Sequence, residues 1–238
     1  MASLKRFLKR SAALRKAFWR VLTGEVYMSF SQYGEDLLLR SFMADIFDDV
    51  NYKGFWVDVG AHDPFRFSNT KMFSDRGWTG INIDAMPGAI EKFKKARPRD
   101  VNVNVGVGPE KGELDYYMFA DYATNTFSRD FAERMSANGA NLLGTRKVQV
   151  KPLREILDEH VPKDRHIDFF SIDTEGLDLT ILQSNDWKLY RPDYILIEIH
   201  TGGKNWEIPS CSITKYLNDH GYAFAGQGYV TTLYQRVR

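Results

Sequence analysis

The chain has 238 residues, of which 43% are hydrophobic and 14% aromatic, enough for one large buried core. Its single cysteine, Cys211, excludes a disulfide framework and an all-cysteine metal site, and it suits a reducing compartment. No apolar run reaches the length of a membrane-spanning helix, so we expect a cytoplasmic protein.

The near-neutral net charge of +1 hides an asymmetry at the N-terminus. Residues 1–24 carry seven basic side chains and no acidic one, which leaves 25 basic and 31 acidic residues in the remainder. At the helical period, one face of this segment collects Leu4, Phe7, Leu8, Leu14, Phe18, Val21 and Leu22. The sequence therefore predicts a basic amphipathic helix over residues 1–24, followed by a single domain over residues 25–238.

This helix has two kinds of partner open to it. It could lie on an anionic membrane surface, at the cytoplasmic face of the membrane, with Trp19 near the interface. Alternatively, it could pack on the body of the protein or on another subunit. Nucleic acid is not expected, because the acidic remainder would repel phosphates and no recognition motif accompanies the basic residues.

Past residue 24, short apolar runs alternate with amphipathic segments. The helical period, together with cap and stop signals, predicts helices at residues 31–47, 69–77, 88–97, 150–160, 177–184 and 211–221. Apolar runs rich in β-branched and aromatic residues predict strands at residues 54–60, 79–84, 101–108, 167–173 and 192–200.

Three further segments complete the predicted order. Residues 112–120 look like an inserted or edge strand, and residues 222–227 and 229–237 like a closing hairpin. The polar residues 120–147 are the predicted mobile lid. Because single helices separate the strands, we predict an α/β fold with a mostly parallel sheet, helices on both faces and an antiparallel C-terminal hairpin.

Acidic residues end four of the five central strands: Asp58, Asp84, Asp173 and Glu198. Ligands of parallel α/β sheets bind outside the carboxyl ends of the strands. An ionised carboxylate at such a place needs a partner, because desolvating it unpaired costs several kcal/mol. These four acids therefore predict a ligand site at that edge of the sheet.

The loop GAHDPF, which begins at Gly60, narrows the choice of ligand. A glycine there lets a ligand approach the backbone, and Asp84, one strand–helix–strand unit later, is placed to accept hydrogen bonds from both ribose hydroxyls. A dinucleotide would require the GxGxxG turn, whose second and third glycines this loop lacks. A nucleoside without a pyrophosphate fits better, and S-adenosylmethionine is such a ligand.

Five ordered segments between about residues 29 and 202 also resemble one known family. They are SQYGEDLLL, FWVDVGAHDPFRFSNT, GWTGINIDAMP, NVNVGVG with GELDYY, and IDFFSIDTEGLDLTIL. Together they are similar to the FkbM family of S-adenosylmethionine-dependent methyltransferases. The resemblance implies a class I methyltransferase (Rossmann-like) fold and O-methylation of a hydroxyl, often on a sugar of a polysaccharide or glycoconjugate. The chain departs from many relatives at His62, where they carry Asn.

The resemblance implies cofactor contacts for six residues: Gln32, Asp58, Gly60, Asp84, Asn104 and Val105. Asp58 and Gly60 would lie beside the methionine moiety, Asp84 on the ribose, and Asn104 with Val105 near the adenine, while Gln32 would close over the cofactor. Structural interpretations stay open for three of them. Asp58 could cap the next helix, Gln32 could lie in the first turn of its own helix, and Asn104 could be a buried amide bonded to backbone.

The chemistry of transfer is expected in SIDTEGLD and LIEIH. A neutral alcohol is a weak nucleophile, so a carboxylate or imidazole must remove its proton, or a bound cation must lower its pKa. In the second case Asp173, Glu198 and His200 would hold Mg²⁺ or Mn²⁺, an arrangement that resembles catechol O-methyltransferase. In the first case His200 or Glu175 would be the general base and Asp173 would orient the acceptor. Glu175 could also be a first-turn acid favoured by the helix dipole.

Other functions stay open at this point. An N- or C-methyltransferase could use an aromatic wall built from Tyr116, Tyr117, Tyr122 and Phe127, and a non-catalytic scaffold could keep only the cofactor site. The acceptor is expected to be a glycan or another small molecule that bears a hydroxyl group.

Overall fold

A seven-stranded sheet forms the centre of the computed structural model, which describes residues 12–23, 26–199 and 205–237. The strands of this sheet are β1 (Phe55–Val59), β2 (Thr79–Asp84), β3 (Val101–Asn104), β7 (Phe169–Ile172), β8 (Tyr194–Glu198), β9 (Tyr222–Gln227) and β10 (Thr231–Arg236). Their spatial order is β3-β2-β1-β7-β8-β10-β9. The first five strands in this order run parallel, whereas β10 is antiparallel to both of its neighbours. The predicted mostly parallel sheet with a terminal antiparallel hairpin is confirmed.

Helices pack on both faces of this sheet. The described helices of the chain are α1 (Ala12–Leu22), α2 (Glu35–Phe42), α3 (Ala44–Asp48), α4 (Lys71–Asp75), α5 (Ala89–Ala96), α6 (Arg129–Ala137), α7 (Leu153–His160), α8 (Asp178–Gln183) and α9 (Ser212–Asp219). Two 3₁₀ turns span Tyr122–Thr124 and Asn205–Ser210.

Period-two alternation divides the buried residues between two hydrophobic clusters. On β1, Val57 and Val59 belong to the cluster that contains residues of α7, α8 and α9, whereas Trp56 belongs to the cluster that contains residues of α2, α3 and α4. Successive side chains of a strand point to opposite faces, and β7, β8 and β10 likewise contribute to both clusters. This burial explains why the central strands read as continuous apolar runs.

A smaller second sheet lies outside the predicted pattern. It consists of β4 (Gly106–Val107), β6 (Leu142–Lys151) and β5 (Gly112–Phe119), in the order β4-β6-β5. The predicted strand at residues 101–108 was therefore wrong as one element, because β3 stays in the main sheet and β4 pairs with β6. The predicted helix at residues 150–160 begins only at Leu153, because Val150 and Lys151 pair with Gly106 and Val107.

The predicted helix at residues 31–47 is also wrong as a single element. The Ser31 hydroxyl accepts hydrogen bonds from the backbone N–H groups of Gly34 and Asp36, and Gly34 has φ +90°. The chain therefore turns first, and α2 begins at Glu35 and ends before Met43. Helix α3 then starts at Ala44.

Helix α1 covers only the second half of the segment predicted to be helical. Its described side chains, from Leu14 to Val21, are all exposed to solvent. Residues 1–11 lie outside the described part of the chain. None of the described helices is long and apolar enough to cross a membrane.

Candidate active site

Two adjoining cavities open at the carboxyl ends of the parallel strands. The first, here called the apolar cavity, lies between the ends of β1 and β2 and the second sheet. The second, here called the acidic cavity, lies next to the ends of β1, β7 and β8. Five residues line both cavities: Gly60, His62, Ala123, Asp173 and Glu175. A ligand that fills both would pass between these residues.

Asp84 lies on the wall of the apolar cavity, as predicted from its place at the end of β2. Its Oδ2 accepts a hydrogen bond from the His62 N–H at 2.8 Å, and its Oδ1 accepts one from the Met86 N–H at 2.7 Å. Burial raises the pKa of this carboxyl, although the two N–H groups oppose that shift. Each oxygen of an ionised carboxylate has a second acceptor position, so Asp84 can still bind hydroxyl groups.

Asn104 and Val105 differ in their relation to the apolar cavity. Val105 is buried and lines it. The Asn104 side chain is exposed and donates hydrogen bonds to the backbone carbonyls of Asp84 and Met86 at 2.7 and 3.0 Å. Asn104 is not among the described residues that line the cavity, so in this structure its amide fixes the loop after β2. Its contact with an adenine stays a prediction.

Gly60 has φ +80°, and a Cβ at this position would collide with the carbonyl oxygen of Asp173. We expected this glycine to serve the approach of a ligand, and it does line both cavities. The packing of the β7 end against the β1 end already requires it, however, because no side chain fits between the two strands.

The acidic cavity collects carboxyl groups. Its lining includes Glu35, Asp58, Asp121, Asp173, Glu175 and Glu198. Gln32 also lies on its wall, in agreement with a place beside the cofactor, and donates to the Tyr33 hydroxyl. No lysine or arginine occurs among the described residues that line this cavity. The field inside it therefore favours cationic groups.

Asp58 is buried in a polar network below this cavity. Its Oδ2 accepts a hydrogen bond from the Thr70 hydroxyl at 3.1 Å, and Arg97 donates to the same hydroxyl at 2.7 Å. Burial raises the Asp58 pKa to about 6, and the positive charge of Arg97 limits the rise. This network, rather than the cap of a helix, accounts for the protein contacts of Asp58.

Three carboxyl groups converge where the two cavities meet. Oxygens of Asp173, Glu175 and Glu198 all lie within 4.8 Å of one another. Desolvation raises the Asp173 pKa well above its ordinary value, and the charges of Glu198, Glu175 and Asp178 raise it further. The neighbouring negative charges therefore favour the protonated form of Asp173.

Asp178, which the sequence analysis did not single out, holds the loop that carries Glu175. Its carboxylate accepts hydrogen bonds from the backbone N–H groups of Thr174 and Gly176 and from the Thr174 hydroxyl. Glu175 adopts φ +53° within this loop. Because α8 begins at Asp178, the first-turn acid of that helix is Asp178 and not Glu175. Burial and the charge of Glu198 raise the Asp178 pKa to about 7.

His62 is a second site residue without a predicted role. It adopts φ +58°, and its ring stacks on Tyr122 and Phe67 with centroid distances of 4.5 and 6.1 Å. Its buried Nε2 has no hydrogen-bond partner among the described residues, and burial lowers its pKa. An unusual backbone conformation at a site residue is a mark of functional constraint. A histidine where many relatives carry Asn was the only sequence signal.

The predicted lid, residues 120–147, is not one loop, because it contains α6 and the first residues of β6, but its part next to β5 lines the cavities. Residues 122–127 line the apolar cavity, except Thr124, which lines the acidic one. The Thr126 hydroxyl donates to the Glu175 carbonyl at 2.8 Å. This hydrogen bond links the segment to the loop that carries Glu175, here called the acidic loop. The mobility of the segment stays a prediction.

One predicted site residue cannot be placed. His200, expected as a base or a metal ligand, lies outside the described residues. Its two possible roles therefore stay predictions. The described cluster thus consists of Asp173, Glu175 and Glu198.

The strand order and the acids at the strand ends define an α/β protein with cavities at the carboxyl edge of its parallel strands. The family model described as the methyltransferase FkbM domain matches residues 58–224, from the end of β1 into β9. The chain therefore belongs to the FkbM methyltransferase family. Among curated proteins, no significant match was found.

Proposed function

We propose that the protein transfers a methyl group from S-adenosylmethionine to a hydroxyl group of its acceptor. One observation carries this proposal: two cavities meet at the strand ends. The apolar cavity has Asp84 on its wall, the residue expected to bind a ribose, and the other cavity is acidic. The strand order supports a class I methyltransferase (Rossmann-like) fold.

The residues present fit this cofactor. An adenine ring would lie among Val105, Tyr116 and Phe127, and Asp84 would accept from the ribose hydroxyls. Gln32 and Asp58 would face the methionine moiety in the acidic cavity, whose carboxylates complement its ammonium and sulfonium charges. A pyrophosphate would be repelled there by the same carboxylates.

The acceptor is inferred from charge. Because the acidic cavity offers no described lysine or arginine, it favours a neutral or cationic acceptor over a phosphorylated or carboxylated one. The family resemblance supports a sugar hydroxyl of a polysaccharide or glycoconjugate as the methylated group. Such an acceptor would hydrogen-bond to the polar walls of the cavity.

The acidic cluster would remove the hydroxyl proton. S-adenosylmethionine supplies the electrophilic methyl group: the new O–CH₃ bond forms as the S–CH₃ bond breaks, and S-adenosylhomocysteine leaves. Asp173 in its ionised form, beside Glu175 and Glu198, would accept the proton released by the hydroxyl. A carboxylate with a raised pKa is a stronger base than an exposed one, so it suits this step near neutral pH.

A divalent cation at the same cluster is the second way to activate the hydroxyl. Three carboxylates with oxygens within 4.8 Å of one another form a donor set of the type that Mg²⁺ and Mn²⁺ prefer. With either ion, Asp173, Glu175 and Glu198 would be the ligands, and the ion would lower the pKa of the hydroxyl.

A methyl-transfer assay with labelled S-adenosylmethionine and a panel of amino, neutral and uronic acid glycans tests the proposal. We expect label on an oxygen of a neutral or amino sugar, located by mass spectrometry and NMR. Label on nitrogen or carbon would establish an N- or C-methyltransferase instead, and binding without transfer to any of these acceptors would support a scaffold. Activity that EDTA abolishes and Mg²⁺ or Mn²⁺ restores would establish the metal-dependent route, and full activity in EDTA the acid–base route.

A further inference from the structure

Helix α1 carries an apolar stripe that is about half exposed and whose Val21 end borders a groove lined also by Phe47 and Met72. Leu14, Phe18 and Val21 are 39%, 45% and 48% exposed, and Trp19 is 63% exposed. At 100° per residue, the first three lie within an arc of about 60° on the helix surface. Amphipathic helices of globular proteins normally bury such a stripe against a core. The stripe of α1 is therefore available to a partner.

The charges of the helix are arranged around this stripe. Arg15 lies at the boundary of the stripe, and Lys16, Trp19 and Arg20 lie on the opposite side of the helix. Residues 1–24 contain seven basic residues and no acidic one. Basic residues on the polar face and large apolar residues on the other are typical of helices that lie in the surface of a membrane.

We propose that α1 docks the protein on the surface of an anionic lipid bilayer. Leu14, Phe18 and Val21 enter the boundary between headgroups and acyl chains, and the basic residues face the lipid phosphates. Trp19 lies at headgroup depth, where indole rings are enriched in membrane proteins. The helix is too short to span the bilayer, so the attachment is peripheral.

The exposure of α1 also argues against the competing occupants of this stripe. The body of the same chain is tethered to α1 and so is present at a high effective concentration. Although Val21 borders a groove lined by Phe47 and Met72, the described side chains of α1 stay exposed. A second copy would offer α1 the same body surface. Pairing of two α1 helices would bring basic segments together without an acidic residue to offset their repulsion.

Vesicle co-sedimentation of the full chain tests this proposal. We expect binding to vesicles with about one-third phosphatidylglycerol in phosphatidylcholine, weaker binding as NaCl rises, and little binding to pure phosphatidylcholine. Indole fluorescence should shift to shorter wavelength on binding, because Trp19 leaves water.

Two sets of variants separate the helix from general effects of charge and apolarity. The triple variant Arg15→Gln, Lys16→Gln and Arg20→Gln should bind on the order of 100-fold more weakly, because each basic residue near an anionic surface contributes about 1 kcal/mol. Its matched control carries Lys111→Gln, Lys163→Gln and Lys188→Gln, at exposed positions elsewhere, and has the same net charge. This control should bind within about threefold of wild type.

The second set changes apolar side chains. Phe18→Ser with Trp19→Ser should weaken vesicle binding at least tenfold, whereas Val50→Ser with Leu143→Ser, at two other exposed positions, should have little effect. Equal binding of wild type to neutral and anionic vesicles, or equal losses in a variant and its control, would overturn the proposal. So would self-association that the Phe18 and Trp19 changes abolish in a chain that binds no vesicles, which would establish a subunit contact instead.

Discussion

At the scale of single residues, the close approach of Gly60 to Asp173 predicts a large effect of Gly60→Ala on stability. Gly60→Ala should destabilise the protein by more than about 3 kcal/mol, because the new Cβ collides with the Asp173 carbonyl in addition to the cost of a positive φ. Gly139→Ala is the matched control, since Gly139 has φ +90° and nothing within 4 Å of an added Cβ. It should cost about 1 kcal/mol. Urea denaturation measures both, and equal losses would contradict the account.

The raised pKa of Asp178 predicts that the stability of the protein depends on pH. Its pKa is higher in the folded protein, about 7, than in the unfolded chain, so the folded state holds the proton longer. Its contribution to stability is complete below pH 4 and is lost as the pH rises towards 7. The Asp178→Asn variant lacks this titrating group and so does not lose that stability. The unfolding free energy of the variant relative to that of wild type should therefore rise by a few kcal/mol between pH 4 and pH 7.

Denaturation curves at several pH values measure this difference. The control is Asp130→Asn, which changes an exposed first-turn acid of another helix, α6. Parallel pH profiles of the Asp178→Asn variant and wild type would contradict the assigned pKa.

Part of the site was predictable because strand-end chemistry is local. Asp58, Asp84, Asp173 and Glu198 follow apolar runs directly, and parallel strands bring their carboxyl ends to one edge. The restraint on Gly60 by the Asp173 carbonyl joins residues more than a hundred positions apart, and no local pattern records it. The environment of His62 likewise depends on how Tyr122 folds back over it.

At the scale of elements, residues 120–127 pair with β5 through backbone hydrogen bonds between Tyr117 and Thr126, and the Thr126 hydroxyl bonds to the Glu175 carbonyl of the acidic loop. Thr126→Val keeps the shape of the side chain and removes the donor to the Glu175 carbonyl. We expect a stability loss of about 1 kcal/mol, faster amide exchange in residues 120–127 and a lower kcat. Thr145→Val, an equivalent change on β6, should leave exchange in the lid unchanged. Lid exchange identical to wild type in the Thr126 variant would show that this hydrogen bond does not hold the segment.

Elements buried on both sides were predicted well, and those set by distant pairing were not. The runs that became β1, β2, β7 and β8 are mostly apolar and are buried almost throughout, which marks central strands. Strand β6 is largely exposed and polar, and it forms only because β5 pairs with it. The two-residue strand β4 depends on β6 in turn.

At the scale of the whole molecule, opposite charges are separated. Residues 1–24 are basic, whereas the rest of the sequence has a formal charge of about −6. The acidic cavity concentrates part of that negative charge where the cofactor would lie. A positively charged cofactor should therefore bind more weakly as salt rises, while neutral analogues of its nucleoside should respond less.

The most direct test of the central claim is calorimetric titration with S-adenosylhomocysteine. Wild type should bind it with a micromolar Kd, or about 8 kcal/mol. Asp84→Asn should weaken binding by roughly 10-fold to 100-fold, because a charged acceptor for the ribose hydroxyls becomes neutral. Asp63→Asn, in the same loop region but on neither cavity wall, should change Kd less than about threefold. Absence of binding by wild type, or an Asp84→Asn variant that binds as tightly as wild type, would contradict the account.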